Sequence, residues 1–301
     1  MTELTREISK IIPEERLLTD EPMRLHTTFR VGGRAAWFAR VCSEAELSQL
    51  LSLLKGRTPY YIVGNGSNLL VSDKGYDGVI INLTGGFEEI GIEGTVISAG
   101  SGALLVKTSN EAQHSALTGL EFAAGIPGSI GGAVVMNAGA YGGEIAQVIK
   151  SVRAMEPDGN ILTLQKEDLM LGYRTSIFKT RELVCLQAVF ELERGDALAI
   201  RRTMDELNEK RRQKQPVEFP SAGSTFKRPE GYFAGKLIMD AGLCGYRVGG
   251  AMVSEKHCGF VINAGEATAS DVKTLMDEIT QRVMEKFSVR LEPEVCMIGD
   301  F

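Results

Sequence analysis

Nowhere does an apolar run reach the roughly 18 residues needed to cross a bilayer, and Glu3, Glu7, Glu14 and Glu15 interrupt the apolar residues near the N-terminus. A soluble, cytoplasmic chain without membrane insertion is therefore expected. No long run of Lys or Arg is present, and the formal net charge is −6, so the dense positive face that binds phosphate backbones is missing. Nucleic acid is excluded as an expected partner. The five cysteines (Cys42, Cys185, Cys244, Cys258 and Cys296) stand singly, with no CxxC pair and no clustered histidine. Neither a metal site nor a disulfide framework is expected. Internal repeats are absent too, and nothing in the sequence calls for an obligatory protein partner.

What the sequence does have is glycine. There are 34 in 301 residues, concentrated in Gly64–Gly78, Gly119–Gly143 and Gly242–Gly250, with β-branched and apolar runs between them. A hydrophobic content of 44 % is enough to supply a core in each of two or three modest domains.

Ser43-Glu44-Ala45-Glu46 is a capping-box pattern, and Leu47, Leu50, Leu51 and Leu54 follow at helical spacing, so a helix is expected over 44–55. A strand is expected at Tyr60–Val63. After Gly64-Asn65-Gly66-Ser67-Asn68 the chain continues as Leu69-Leu70-Val71, turns at Asp77-Gly78 and enters a strand at Val79–Leu83. Residues 102–117 read as a helix, and Val148–Glu156, Asn160–Leu164 and Leu183–Leu192 as strands, the first two joined through Pro157-Asp158-Gly159. A polar helix over about 195–213 ends in Lys210-Arg211-Arg212-Gln213-Lys214, where Pro216 and Pro220 then force extended chain. Near the C-terminus, Val272, Leu275, Met276, Ile279, Val283 and Phe287 share one helical face, and a short strand is expected at Val289–Cys296. The fold class is α+β.

Gly64-Asn65-Gly66-Ser67-Asn68-Leu69 begins like a dinucleotide fingerprint, but the third glycine is missing and strand rather than helix follows. Small residues in succession can instead turn several backbone N–H groups toward one point and cradle a pyrophosphate. Tight β-turns use the same residues for backbone reasons alone. A second, denser loop, Ala124-Gly125-Ile126-Pro127-Gly128-Ser129-Ile130-Gly131-Gly132, is followed closely by Asn137-Ala138-Gly139-Ala140-Tyr141-Gly142-Gly143. Glycine costs roughly 0.5–1 kcal/mol relative to alanine in regular structure, so so many of them need a reason. Close approach to a bulky diphosphate cofactor is one.

These two loops, together with Gly172-Tyr173-Arg174, Ala222-Gly223-Ser224-Thr225-Phe226-Lys227 and Leu291-Glu292-Pro293-Glu294-Val295, resemble the UDP-N-acetylenolpyruvoylglucosamine reductase family over nearly the whole chain. The resemblance implies an FAD-binding domain of the vanillyl-alcohol-oxidase type over residues 1–195 and a smaller α+β substrate-binding domain over 196–301. It implies noncovalent FAD, NADPH as reductant, a UDP-sugar enolpyruvyl ether as substrate and a place in peptidoglycan precursor synthesis. The short path from Arg174 to Ser224 resembles the family's shorter class, which lacks an inserted substrate-covering segment.

The resemblance also implies roles for particular residues. Gly64, Asn65, Gly66, Ser67, Asn68, Leu69, Pro127, Gly128, Ser129 and Gly132 would hold the cofactor. Arg174, Ser224 and Glu294 match the catalytic positions. Hydride arriving at the terminal carbon of an enolpyruvyl ether pushes charge onto the neighbouring carbon and its carboxylate, so the site needs cationic stabilisation and a proton donor. Ser224 can protonate so strong a base if nearby donors stabilise the alkoxide left behind, and no Ser-His-Asp arrangement points to acyl transfer. Arg174 offers a guanidinium fork to the carboxylate, with Glu294 polarising it. Tyr173, Lys214, Lys227 and His257 are the substrate-binding candidates. His257 occupies a position where part of the family has another residue.

Read without the resemblance, Ser224 is a turn serine, Arg174 a surface arginine and Glu294 a solvent-facing carboxylate. Two other functions remain open on the residues alone. One is a flavin oxidase on the same cofactor fold, which needs a basic residue near the flavin; the other is a noncatalytic flavin or nucleotide-sugar binder.

Overall fold

Ser43 and Glu46 start the helix Glu44–Leu54, whose apolar stripe Leu47, Leu50, Leu51 and Leu54 is buried. The capping box forms only in part. Ser43 Oγ accepts from Glu46 N at 3.3 Å, while the Glu46 carboxylate accepts from Cys42 N at 2.9 Å and takes both arms of Arg16 at 2.9 and 2.7 Å. That fork, with the Cys42 N–H, holds the Glu46 carboxyl below the ordinary glutamate value of 4.5. The pair's contribution is therefore complete above that ordinary value and lost as pH falls through the lower folded one. We expect Glu46→Gln to cost about 1 kcal/mol at pH 7. Urea melts of both proteins as a function of pH should converge in acid; a constant gap would show that the loss is one of packing.

This computed structural model describes residues 2–301. The chain forms two compact units. The first comprises residues up to Thr19, Trp37–Asn65 and Gly78–Glu209; the second comprises Asp20–Ala36, Gly66–Asp77 and Lys210–Phe301.

In the first unit, a five-stranded antiparallel sheet runs in the order Ile161–Gln165, Ile149–Met155, Val184–Glu191, Val96–Gly100, Ile90–Glu93. Its first hairpin turns through Pro157-Asp158-Gly159 as expected, with Glu156 N donating to Asn160 O at 2.8 Å. Ala99, Val152, Ala154, Ala188 and Phe190 from this sheet pack with Leu105, Ile130 and Val134 into one core. A second core gathers Leu47, Leu50, Leu51, Leu54, Val79 and Ile81, where Tyr60–Val63 pairs in parallel with Val79–Asn82. The helix expected over 102–117 is shorter, Leu105–His114. Gly102 N and Ala103 N are spent on a turn before it, and Ala116 at φ 53 ends it, so Leu117–Thr118 becomes a strand paired with Glu193–Arg194.

In the second unit, the helix Ala269–Phe287 packs Val272, Leu275, Met276, Ile279 and Val283 against Leu237, Ile238, Val253 and Val261. Thr268 and Asp271 close a capping box, and the Asp73 carboxylate takes Ala269 N and Ser270 N at 2.8 and 2.7 Å. The turn expected at Asp77-Gly78 lies earlier. Ser72 closes it by accepting from Lys74 N and Gly75 N, leaving Tyr76–Leu83 as one uninterrupted strand. The strand expected over Val289–Cys296 is displaced to Cys296–Ile298, which pairs in parallel with Leu69–Val71. Residues ahead of it pair elsewhere: Glu292 O accepts from Lys227 N at 2.8 Å, and Glu294 N donates to Thr225 O at 2.9 Å. Pro293 has no N–H with which to continue a regular ladder. Among the described residues, no helix is long and apolar enough to cross a membrane.

Candidate functional site

In the first unit the two glycine loops touch. Tyr60–Val63 delivers Gly64-Asn65, and the amide of Asn65 donates to the carbonyl of Pro127 at 2.5 Å. A Cβ on Gly64 would land on the Ser129 hydroxyl, so any larger residue there would force Ser129 to shift. Ser129, 3 % exposed, caps the helix Ile130–Met136 by accepting from Gly132 N at 3.4 Å. Ile130 N and Gly131 N are spent on Ala103 O and Ser101 O. The backbone N–H groups of Asn65, Gly128 and Ser129 make no hydrogen bond among the described residues. Donors left open on two touching loops suit a diphosphate. The open N–H groups of Asn65, Gly128 and Ser129 fit the chemistry of an FAD pyrophosphate, whereas Pro127 has no N–H and Gly132 N is already spent on Ser129 Oγ.

The loop continues into residues of the second unit. Gly66 has φ 60, and a Cβ there would overlap the His26 carbonyl. Asn68 Nδ2 donates to Glu294 O at 3.1 Å, and Leu69 is buried in the strand paired with Cys296. Ser67 lies between them at the turn.

Tyr173 and Arg174 occupy the centre of a tight turn in the first unit, closed by Gly172 N to Thr175 O at 3.1 Å and Thr175 N to Gly172 O at 3.2 Å. Arg174 has φ 55, a conformation that costs a non-glycine residue about 1 kcal/mol. Strain of that kind persists where the surroundings hold it and where presentation of a side chain matters. The guanidinium lies 5.3 Å from the centre of the Tyr173 ring, and Tyr173 is itself 54 % exposed.

The second unit brings Ser224, Glu294 and the His257 loop together around Thr225. Thr225 is fully buried; its N–H donates to Gly259 O at 2.9 Å, its hydroxyl accepts from Val261 N at 2.8 Å, and its carbonyl accepts from Glu294 N. Ser224, the preceding residue, is half-buried beside Gly223 at φ 75, and its hydroxyl has no hydrogen-bond partner among the described residues. Glu294 is half-buried as well. The sequence offered no signal for Thr225, because a threonine after a serine in a glycine turn reads as solvent-facing.

His257 is sunk beside Phe260, with ring centroids 5.0 Å apart in an edge-on contact, and burial holds its pKa below the ordinary 6.5. Its Nδ1 accepts from Gly259 N at 3.1 Å, so the neutral ring presents Nε2–H as a donor. Because the unfolded chain takes up this proton first, stability should fall as pH drops below 6.5. His257→Gln should flatten that part of the stability curve between pH 7 and 5; an unchanged slope would assign the titration to another group. Lys227 forms an exposed ion pair with Glu292 at 3.1 Å, and Lys214 is the exposed last residue of the helix Ala197–Lys214.

Comparison with known proteins came out uniformly. Residues 35–165 match an FAD binding domain model, and residues 215–298 match the C-terminal domain of UDP-N-acetylenolpyruvoylglucosamine reductase. A protein of that name from Lachnoclostridium phytofermentans is 50 % identical over 302 residues, covering 99 % of this chain and 97 % of the relative. Another, from Caldanaerobacter subterraneus, is 48 % identical over 298 residues, with 99 % and 98 % covered. The crystal structure of UDP-N-acetylenolpyruvylglucosamine reductase from Thermus caldophilus aligns with a TM-score of 0.81 at 35 % identity, covering 94 % of this chain and 98 % of that one. A glucose dehydrogenase, Phl p 4.0202, aligns at 0.52 and 12 % identity, covering 96 % of this chain and 64 % of its own, which is a likeness of fold alone. The expected α+β architecture, an FAD-binding domain followed by a C-terminal domain of the reductase family, is the one found.

Proposed function

Since the chain belongs to the UDP-N-acetylenolpyruvoylglucosamine reductase family and is an FAD-dependent oxidoreductase, we propose that it uses NADPH to reduce the enolpyruvyl ether of UDP-N-acetylglucosamine to UDP-N-acetylmuramate. The observation that carries this reading is the pair of touching glycine loops, whose free N–H groups suit the cofactor's diphosphate. Bound there, FAD would relay hydride from NADPH to the terminal carbon of the enolpyruvyl group.

The chain's own residues bind, orient and donate the proton. Arg174 takes the substrate carboxylate and stabilises the charge that spreads onto it as hydride arrives. Glu294 polarises the same carboxylate. Ser224 gives its proton to the carbon bearing the ether and carboxylate, so hydride and proton together saturate the double bond and no other atom is lost or gained. Its half-buried, uncommitted hydroxyl is consistent with that task. Tyr173, Lys214, Lys227 and His257 contact the nucleotide sugar, the two lysines through its diphosphate. In this scheme residues 1–195 serve the flavin and 196–301 the substrate. The reaction is cytoplasmic and supplies a peptidoglycan precursor on which cell shape and division depend.

The test is a visible absorption spectrum followed anaerobically through addition of NADPH and then of the enolpyruvyl UDP-sugar. Bleaching and then recovery are expected. A flavin that bleaches but is reoxidised faster by oxygen than by the sugar would make the protein an oxidase, and a protein without flavin would overturn the reading entirely.

A further inference from the structure

Asn137 stands immediately after the helix Ile130–Met136, is 1 % exposed, and lies in the left-handed region at φ 43, ψ 58. Its position as a helix cap explains the backbone angle, which asparagine tolerates and most residues do not. It does not explain the side chain. Oδ1 accepts from Ala146 N at 2.8 Å, and Nδ2 donates to Gly172 O at 3.1 Å. One acceptor and one donor are needed in the same buried place, a demand that a carboxamide meets and that neither glycine nor aspartate can.

Gly172 opens the turn that carries Arg174, and its carbonyl already accepts from Thr175 N. On the far side of the turn, the hydroxyl of buried Ser176 donates to Val135 O at 2.8 Å. Both flanks of the Arg174 turn are thus fastened to the last turn of one helix. The first turn of that helix is capped by Ser129, the residue that crowds Gly64 in the cofactor loop. Seven residues at 1.5 Å each make a strut about 10 Å long.

Resting on the catalytic reading of Arg174 above, we propose that Asn137 is a positioning residue that fixes the Arg174 guanidinium with respect to the cofactor loop through the helix Ile130–Met136. The left-handed backbone of Arg174 is held from outside, by Asn137 at the Gly172 flank and by Ser176 at the other. Displacement of a substrate-orienting group by about 1 Å can slow a reaction on the order of a hundredfold, so loss of one amide donor has a measurable cost.

The experiment compares Asn137→Asp, Asn137→Gly and Arg174→Ala as flavin-loaded enzymes, together with each Asn137 variant combined with Arg174→Ala. Asn137→Asp keeps the acceptor for Ala146 N and loses the donor; Asn137→Gly keeps the backbone angle and loses both. Flavin content and reduction by NADPH should stay within about twofold, while reoxidation by the enolpyruvyl sugar slows by roughly ten- to a hundredfold. In the Arg174→Ala background neither change should slow it further. Effects that multiply would make Asn137 a structural residue acting independently of Arg174, and the proposal would fail while the role of Arg174 stood. An Arg174→Ala enzyme that reoxidises normally would instead remove the catalytic reading itself. Loss of flavin from both single variants would identify Asn137 as a support of the whole unit and overturn the proposal.

Discussion

Ser224→Ala is expected to leave reduction of the flavin by NADPH near normal and to slow its reoxidation by the enolpyruvyl sugar at least a thousandfold, about 4 kcal/mol of barrier. The asymmetry follows from what each half-reaction requires. Hydride transfer from NADPH needs no proton at the substrate carbon, whereas saturation of the enolpyruvyl double bond cannot finish without one. The fold around Ser224 should survive the change, because the contacts that fix this loop belong to Thr225 and not to the serine hydroxyl. Rapid-mixing absorbance at the flavin band, measured separately for the two half-reactions, decides the matter. An equal fall in both rates would make Ser224 a positional residue. If the proposed roles hold, Arg174→Ala and Glu294→Gln should share the selective pattern, because in that scheme both act on the carboxylate where charge develops.

Gly64→Ala should release the flavin. The added methyl group would occupy the place of the Ser129 hydroxyl, and neither loop can retreat freely: Asn65 is tied to the Pro127 carbonyl, and Ser129 caps the following helix. A loss of cofactor affinity of at least a hundredfold, about 2.8 kcal/mol, is expected. Flavin fluorescence titration of the unloaded protein measures it directly. Removing the obstacle with Ser129→Gly in the same chain should recover part of the affinity, because the overlap is then relieved although the cap is lost. Stoichiometric flavin in Gly64→Ala would mean that contact between the loops is not needed for the cofactor.

Where local chemistry decides structure, the sequence was readable. The leucine stripe after Ser43, the turn at Pro157-Asp158-Gly159 and the apolar face from Val272 to Phe287 each follow from spacing, and the structure has them within a residue or so. It was unreadable where a distant partner decides. Val289–Cys296 has the apolar content of a strand, but Lys227 and Thr225 draw Glu292 and Glu294 into an irregular pairing, and only Cys296–Ile298 meets a strand edge. Ser72 likewise closes its turn before Asp77-Gly78, through a hydroxyl whose direction no propensity specifies. The site shows the same division. Glycine density marked the two candidate loops, but the touching of Gly64 and Ser129 is a property of assembled strands and helices. Asn137 and Thr225 lay inside quoted motifs but without a part in them, because their hydrogen bonds run to backbone groups of other segments.

The parallel pairing of Leu69–Val71 with Cys296–Ile298 has a consequence for how the protein is made. Translation proceeds at about 5–20 residues per second, so the early strand leaves the ribosome some tens of seconds before its mate exists. During that interval Leu70, fully buried in the finished molecule, has nothing to lie against, and the edge it belongs to is open to any passing strand. The sheet and helices of the first unit can close on the growing chain, whereas the second must wait for its final residues. Synthesis of this enzyme therefore passes through a stage in which the first unit has all its residues and the second does not.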